Sequence, residues 1–161
     1  TQARDNAPYY QHTQIGYNYR MSNIVAGVGR GQMEVLHVRI EQRRANNKFY
    51  REQLQGIEGL TFLTEPSEDY YSNYWLTTIL LDPSISKITA DDLRLALEDA
   101  NIESRLLWKP MHMQPIFEGC PFYGDGTSEK LFDRGLCLPS GTQLTQDDLQ
   151  KVCSIIREKL C

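Results

Sequence analysis

At 161 residues, 40% hydrophobic and 24% charged, the chain has the length and balance of one soluble domain with a modest core and no disorder signature. Its net charge of −4, with no dense Lys/Arg block, argues against non-specific nucleic-acid binding. No apolar run approaches the roughly 20 residues that span a bilayer, and the polar opening "TQARDNAPYYQH" has no signal-peptide pattern. The 4 cysteines, Cys120, Cys137, Cys153 and Cys161, show neither CxxC spacing nor paired histidine ligands. They read as reduced thiols of a cytoplasmic protein.

In chain order, the polar and aromatic opening leads to Ser22 or Asn23, either of which can cap a long helix ending near Gln55, with Gly56 as its stop. Its apolar stripe runs through Ile24, Val28, Met33, Leu36, Ile40, Phe49, Tyr50 and Leu54. Gly27, Gly29 and Gly31 weaken the first half, each by up to about 1 kcal/mol against alanine. "LTFL" (60–63) and "NYWLTTILLD" (73–82) read as strands, the second central and covered on both faces because both are mostly apolar. Thr89 caps a helix carrying Leu93, Ala96, Leu97 and Ala100, and "IESRLL" (102–107) reads as a third strand. Prolines and glycines break 109–126 into loop. A short helix over 128–134, the strand "LCLP" and a helix capped by Thr145 complete the chain, the last with a stripe of Leu149, Val152, Cys153, Ile156 and Leu160. The order predicts an α+β fold, a small, mostly antiparallel sheet covered by helices with a long N-terminal linking helix.

Most apparent motifs have structural explanations. "GVGRG" lacks the spacing of a phosphate loop, since Gln32 stands where a glycine is needed and no strand precedes it. His12, His37 and His112 lack ligand spacing, so no metal site is expected. No GxSxG elbow or Cys/His nucleophile signature is present. The pairs Asp91–Asp92 and Asp147–Asp148 fall in first helical turns, where they complement the helix dipole. Two loops carry chemistry. In "GYNYRMSN", Asn18 and Arg20 can donate to an anion ahead of a helix N-terminus, although a surface loop with a good cap reads the same way. In "WKPMHMQPIF", Trp108 offers a flat face, while Lys109, His112 and Gln114 offer polar contacts between stiffening prolines. Such a loop suits a polar, phosphorylated, ring-containing ligand.

"IGYNYRMSNIVAGVGRGQMEVL", "ESRLLWKPMHMQPIF" and "GLCLPSGTQLTQDDLQKV" resemble, in this order, segments of sugar aminotransferases of the DegT/DnrJ/StrS type. Such enzymes use pyridoxal 5'-phosphate (PLP) to move an amino group, usually from glutamate, onto a nucleotide-linked keto-sugar, in active sites built at a dimer interface. The resemblance implies a homodimer whose residues 1–22 form a loop from the large-domain side of the active site. Residues 23–56 would be a linking helix, and 57–161 the C-terminal small domain of a fold type I enzyme. It assigns Asn18 and Arg20 to the cofactor phosphate, and Tyr17, Lys109 and His112 to the nucleotide sugar. The "WKPMH" form is most like members acting on UDP-linked 4-keto-6-deoxy-hexoses, although Leu106 stands where that subgroup commonly has proline. The lysine that anchors PLP lies upstream of these segments in the family. Lys48, Lys87, Lys109, Lys130, Lys151 and Lys159 match no such motif, so the chain alone is expected to bind no PLP and to be inactive. Two further readings stay open: a non-catalytic dimerisation or interaction module, and one half of a split enzyme.

Overall fold

Ser22 accepts a 3.3 Å hydrogen bond from the Val25 N–H and so opens the first helix, α1 (Asn23–Met33). The computed structural model describes residues 5–17 and 21–161. The expected single helix is two: α1 stops at Met33 and α2 runs Leu36–Gln53. The N–H groups of Glu34 and Val35 bond back to Gly31 and Gln32, three residues earlier, and Val35 leaves helical geometry at φ −113°, ψ 8°. Two causes coincide. Three glycines lower the propensity of α1, and none of its residues is buried, so no packing holds the two segments in line. At the far end Gly56 takes φ +83°, the left-handed geometry of a helix stop.

The remaining elements are β1 (Leu60–Phe62), β2 (Thr77–Leu81), α3 (Ala90–Asp99), β3 (Arg105–Leu106), α4 (Thr127–Arg134), β4 (Gly135–Leu138) and α5 (Gln146–Leu160). The strands form one antiparallel sheet in the order β1-β2-β4-β3. Opposed residues share a face, so the pairs Phe62–Ile79, Ile79–Leu136 and Leu136–Leu106 place those side chains together. That face meets Tyr50 of α2 and Leu54 just after it, Leu93 and Leu97 of α3, and Leu149, Val152, Cys153 and Ile156 of α5, all buried. Each fully buried Leu or Ile contributes about 1.5–3 kcal/mol. β2 is central, as its sequence predicts. Its other face, with Thr78 and Leu80, is only half-buried, so the second layer of cover is partial.

Polar groups set the register of α2 against the sheet. Asn47 donates to the Thr77 hydroxyl at 3.3 Å, Asn46 to the Gly141 carbonyl at 3.0 Å and the Tyr50 hydroxyl to the Pro139 carbonyl at 2.9 Å. Burial pushes the Tyr50 phenol up, which keeps it a neutral donor. Thr89 and Thr145 open α3 and α5 with complete capping boxes to Asp92 and Asp148, so these acidic residues serve the helix ends.

Three predicted strands are shorter than expected, β1 by Leu63 alone. β2 starts at Thr77 rather than Asn73, because Ser72 and Asn73 side chains accept from the N–H groups of Tyr74 and Trp75, and Tyr74 sits at φ +43°. Arg44 fastens this turn. It pairs with Glu65 at 3.1 Å, donates to the Ser72 carbonyl and lies 4.2 Å over the Tyr71 ring. The Ser72 N–H, followed by Arg44, holds the Glu65 carboxyl below its usual range. β3 covers only Arg105 and Leu106, where 102–107 was expected, with the Leu107 N–H adding a 3.1 Å bond to the Gly135 carbonyl.

Candidate functional site

The loop after β3 stays outside the sheet because Pro110 and Pro115 remove donors, and short 3₁₀ turns form at Met111–Met113 and Pro115–Phe117. Gln114 lies between those turns, only 4% exposed, and fastens the loop to the opening segment. Its Oε1 accepts from the His12 N–H at 2.9 Å, and its Nε2 donates to the Tyr10 carbonyl at 2.7 Å and the Lys109 carbonyl at 3.2 Å. The Ile116 N–H reaches the His12 carbonyl at 3.4 Å. Lys109 donates to Gln11 at 2.8 Å and lies 5.1 Å from the Tyr9 ring centre. Tyr9 meets Phe132 of α4 edge-on at 5.5 Å, and Tyr10 stacks parallel on Trp108 at 5.9 Å.

His112 faces α4. Its Nε2 lies 2.5 Å from Glu129 Oε1, and Phe122 stacks on the imidazole at 3.6 Å with a 22° tilt. Lys109 and His112, expected at the substrate, therefore belong to one braced loop. Tyr17, expected with them, is 73% exposed. Asn18 and Arg20 lie outside the described residues. Sequence reasoning missed Gln11, Glu129 and Phe122. The density of polar and aromatic groups in "APYYQH" was the available signal for the first, and nothing local ties the other two to His112.

The buried thiols of Cys137 and Cys153 are pushed up to about 11 by desolvation, which keeps them protonated and unsuited to attack. All four cysteines are free. No group of three or more His, Cys, Asp or Glu side chains among the described residues is placed to hold a metal ion. No described helix is long and apolar enough to cross a membrane. Lys48, Lys87, Lys130, Lys151 and Lys159 are exposed, and Lys109 is engaged with Gln11.

Comparison with known proteins identifies the family. Residues 1–157 match the model of the DegT/DnrJ/EryC1/StrS aminotransferase family. EpsN of Bacillus subtilis (strain 168), whose name places it among pyridoxal phosphate-dependent aminotransferases, is 44% identical over 160 residues, which are 97% of this chain and 40% of EpsN. GDP-perosamine synthase of Vibrio cholerae is 32% identical over 152 residues, 92% of this chain and 40% of that enzyme. The crystal structure of DesI in the presence of its TDP-sugar product superimposes with a TM-score of 0.77 at 25% identity, covering 89% of this chain and 36% of DesI. A family aminotransferase from Brucella abortus shares the fold at 24% identity and a TM-score of 0.73, covering 99% of this chain and 41% of that one. The chain thus spans about 40% of the length of the curated relatives it matches. It belongs to the DegT/DnrJ/EryC1/StrS aminotransferase family.

Proposed function

We propose that the chain is the C-terminal part of a PLP-dependent aminotransferase that transfers an amino group, from glutamate, to a nucleotide-linked keto-sugar for glycan or polysaccharide precursors. In this reading residues 1–22 reach into the active site, 23–56 link the two parts of the enzyme and 57–161 form its small domain. The enzyme works as a cytoplasmic homodimer, and the Schiff-base lysine comes from polypeptide outside this sequence. PLP, when bound, supplies the electron sink that lets an amino group leave one carbon and join another. The residues of this chain bind and orient. Asn18 and Arg20 donate to the cofactor phosphate, while Tyr17, Lys109 and His112 meet the nucleotide sugar, Lys109 as a cation for its diphosphate.

The observation that carries this reading is the clasp at Gln114. It fastens Tyr10 and His12, ahead of "GYNYR", to the loop of Lys109 and His112, which supports the reading that these two stretches serve one site. The UDP-linked 4-keto-6-deoxy-hexoses are the first substrates to try. The test is to incubate the full-length enzyme with glutamate and such a keto-sugar and to follow the amino sugar by mass spectrometry. Borohydride reduction and peptide mapping should place the PLP label outside these 161 residues. A stoichiometric label on one of the lysines of this chain, or no amination of any nucleotide-linked keto-sugar, would overturn the proposal.

A further inference from the structure

The imidazole of His112 is clamped on one edge and one face. Glu129, in the first turn of α4, brings its Oε1 to 2.5 Å from Nε2, and the Phe122 ring stacks with its centre 3.6 Å away. Two glycines make room for this clamp. A Cβ at Gly124 would overlap the Phe122 ring, and one at Gly126, which sits at φ +78°, would lie 3.0 Å from Glu129 Oε2. The turn Met111–Met113 and the buried Gln114 after it hold the backbone on either side of His112. Backbone, ring face and one ring nitrogen are thus all fixed, while the side chain keeps 19% of its surface open. A carboxylate only accepts, so the proton of the neutral imidazole sits on Nε2 and Nδ1 is left as an acceptor. Among the described residues nothing bonds to Nδ1. The Ser104 hydroxyl is the single buried side-chain polar atom without a partner among them, so Nδ1 meets solvent.

We propose that Glu129 is a positioning residue of the substrate loop: it keeps the His112 proton on Nε2, so that Nδ1 accepts a hydrogen bond from a hydroxyl of the nucleotide-linked sugar. The inference rests on the reading that His112 meets such a sugar, and it gives Glu129 a task that reading leaves open. Donor and acceptor chemistry selects the hydroxyl. The keto oxygen and the diphosphate oxygens are acceptors and offer Nδ1 no proton, whereas a sugar hydroxyl does. Without the carboxylate the ring can turn over and carry its proton on either nitrogen, so the hydroxyl would meet a donor part of the time. Glu129 touches no ligand itself and acts through the imidazole, whose protonated nitrogen is set by the bond the carboxylate makes.

The test uses the full-length, PLP-loaded enzyme without glutamate, so that binding is read without turnover. Isothermal titration is run with UDP-, dTDP- and GDP-linked 4-keto-6-deoxyglucose, and with UDP, dTDP and GDP alone. Glu129→Ala is expected to weaken the preferred keto-sugar nucleotide by about tenfold and to leave the matching nucleoside diphosphate unchanged. His112→Ala should give a loss of the same size, and adding Glu129→Ala to it should cost nothing more, because the carboxylate acts through the imidazole alone. Glu129→Gln, whose amide oxygen still accepts from the Nε2–H, should bind close to wild type. No binding of any keto-sugar nucleotide overturns the proposal, as does wild-type affinity in Glu129→Ala. Equal losses for the keto-sugar nucleotide and the bare nucleotide, a double variant that shows both losses in full, or a Glu129→Gln as weak as Glu129→Ala each overturn it too. The aminotransferase reading is scored separately, by transfer from glutamate. Transfer by the wild type, with unchanged affinity in Glu129→Ala, removes the positioning role alone. Glu129-dependent binding without transfer to any of the three keto-sugars removes the aminotransferase reading and leaves the positioning role in place.

Discussion

Helices α1 and α5 carry the same kind of apolar stripe and have opposite fates. In α5, Leu149, Val152, Cys153 and Ile156 lie at 4% exposure or less against the sheet. In α1, Ile24 is 81% exposed, Val28 62% and Met33 63%. Periodicity reports that a helix has a face to cover, and it does not report what covers it. Three glycines along α1 have open space around them, where α5 has none and fits its neighbours closely. The contrast supports a role for α1 in packing on polypeptide beyond the elements described.

Mutations should separate the two helices by size of effect. Ile156→Ala removes a fully buried side chain, and denaturant unfolding should show a loss of about 2–5 kcal/mol. Gln114→Ala comes next. Its loss removes a hydrogen-bond partner from the His12 N–H and from the Tyr10 and Lys109 carbonyls, for about 1–3 kcal/mol, and hydrogen exchange should quicken at Tyr10 to His12. Thr145→Ala breaks the α5 capping box and should cost about 1 kcal/mol, whereas Ser22→Ala at the start of α1 should cost the core nothing measurable. Val28→Ala should change unfolding by no more than about 0.5 kcal/mol in this chain. A loss at Val28 as large as that at Ile156 would show that α1 is packed after all.

The same cap gives a pH signature. The Thr145 hydroxyl, and then its N–H, holds the Asp148 carboxyl below the usual range, so the folded value is below the unfolded one. Its stabilisation is complete above the unfolded value of about 3.9 and is lost as pH falls through the lower folded value. Thermal unfolding of the native chain should therefore weaken below about pH 4 more steeply than that of Thr145→Ala. Parallel acid profiles would remove this role for Asp148.

What was legible in the sequence follows from the range of the forces involved. Thr89 and Thr145 bond within one turn, and Gly56 answers a local backbone demand, so those helix ends are found where read. The central place of β2 is written in its apolar run. Its start at Thr77 depends on Arg44 and Glu65, remote side chains that capture Ser72 and Tyr74. The break at Glu34 and Val35 has one cause in plain view, the three glycines of α1, and one that no local pattern encodes, the missing burial. At the candidate site, Lys109 and His112 stood out because polar groups between prolines are unusual. Glu129 and Phe122 did not, since both meet His112 only through the fold.

The strand order also determines when the molecule can fold. The central pairing joins β2, from the middle of the chain, to β4, close to its end, and α5 follows to seal the core. A nascent chain lacking its last segments has no partner for either β2 edge except the three-residue β1. It must hold Ile79 and Leu81 without that cover until β4 and α5 have been made. Long-range pairing of this kind is slow and prone to aggregation, so yield during synthesis should be sensitive to substitutions in β4 and α5.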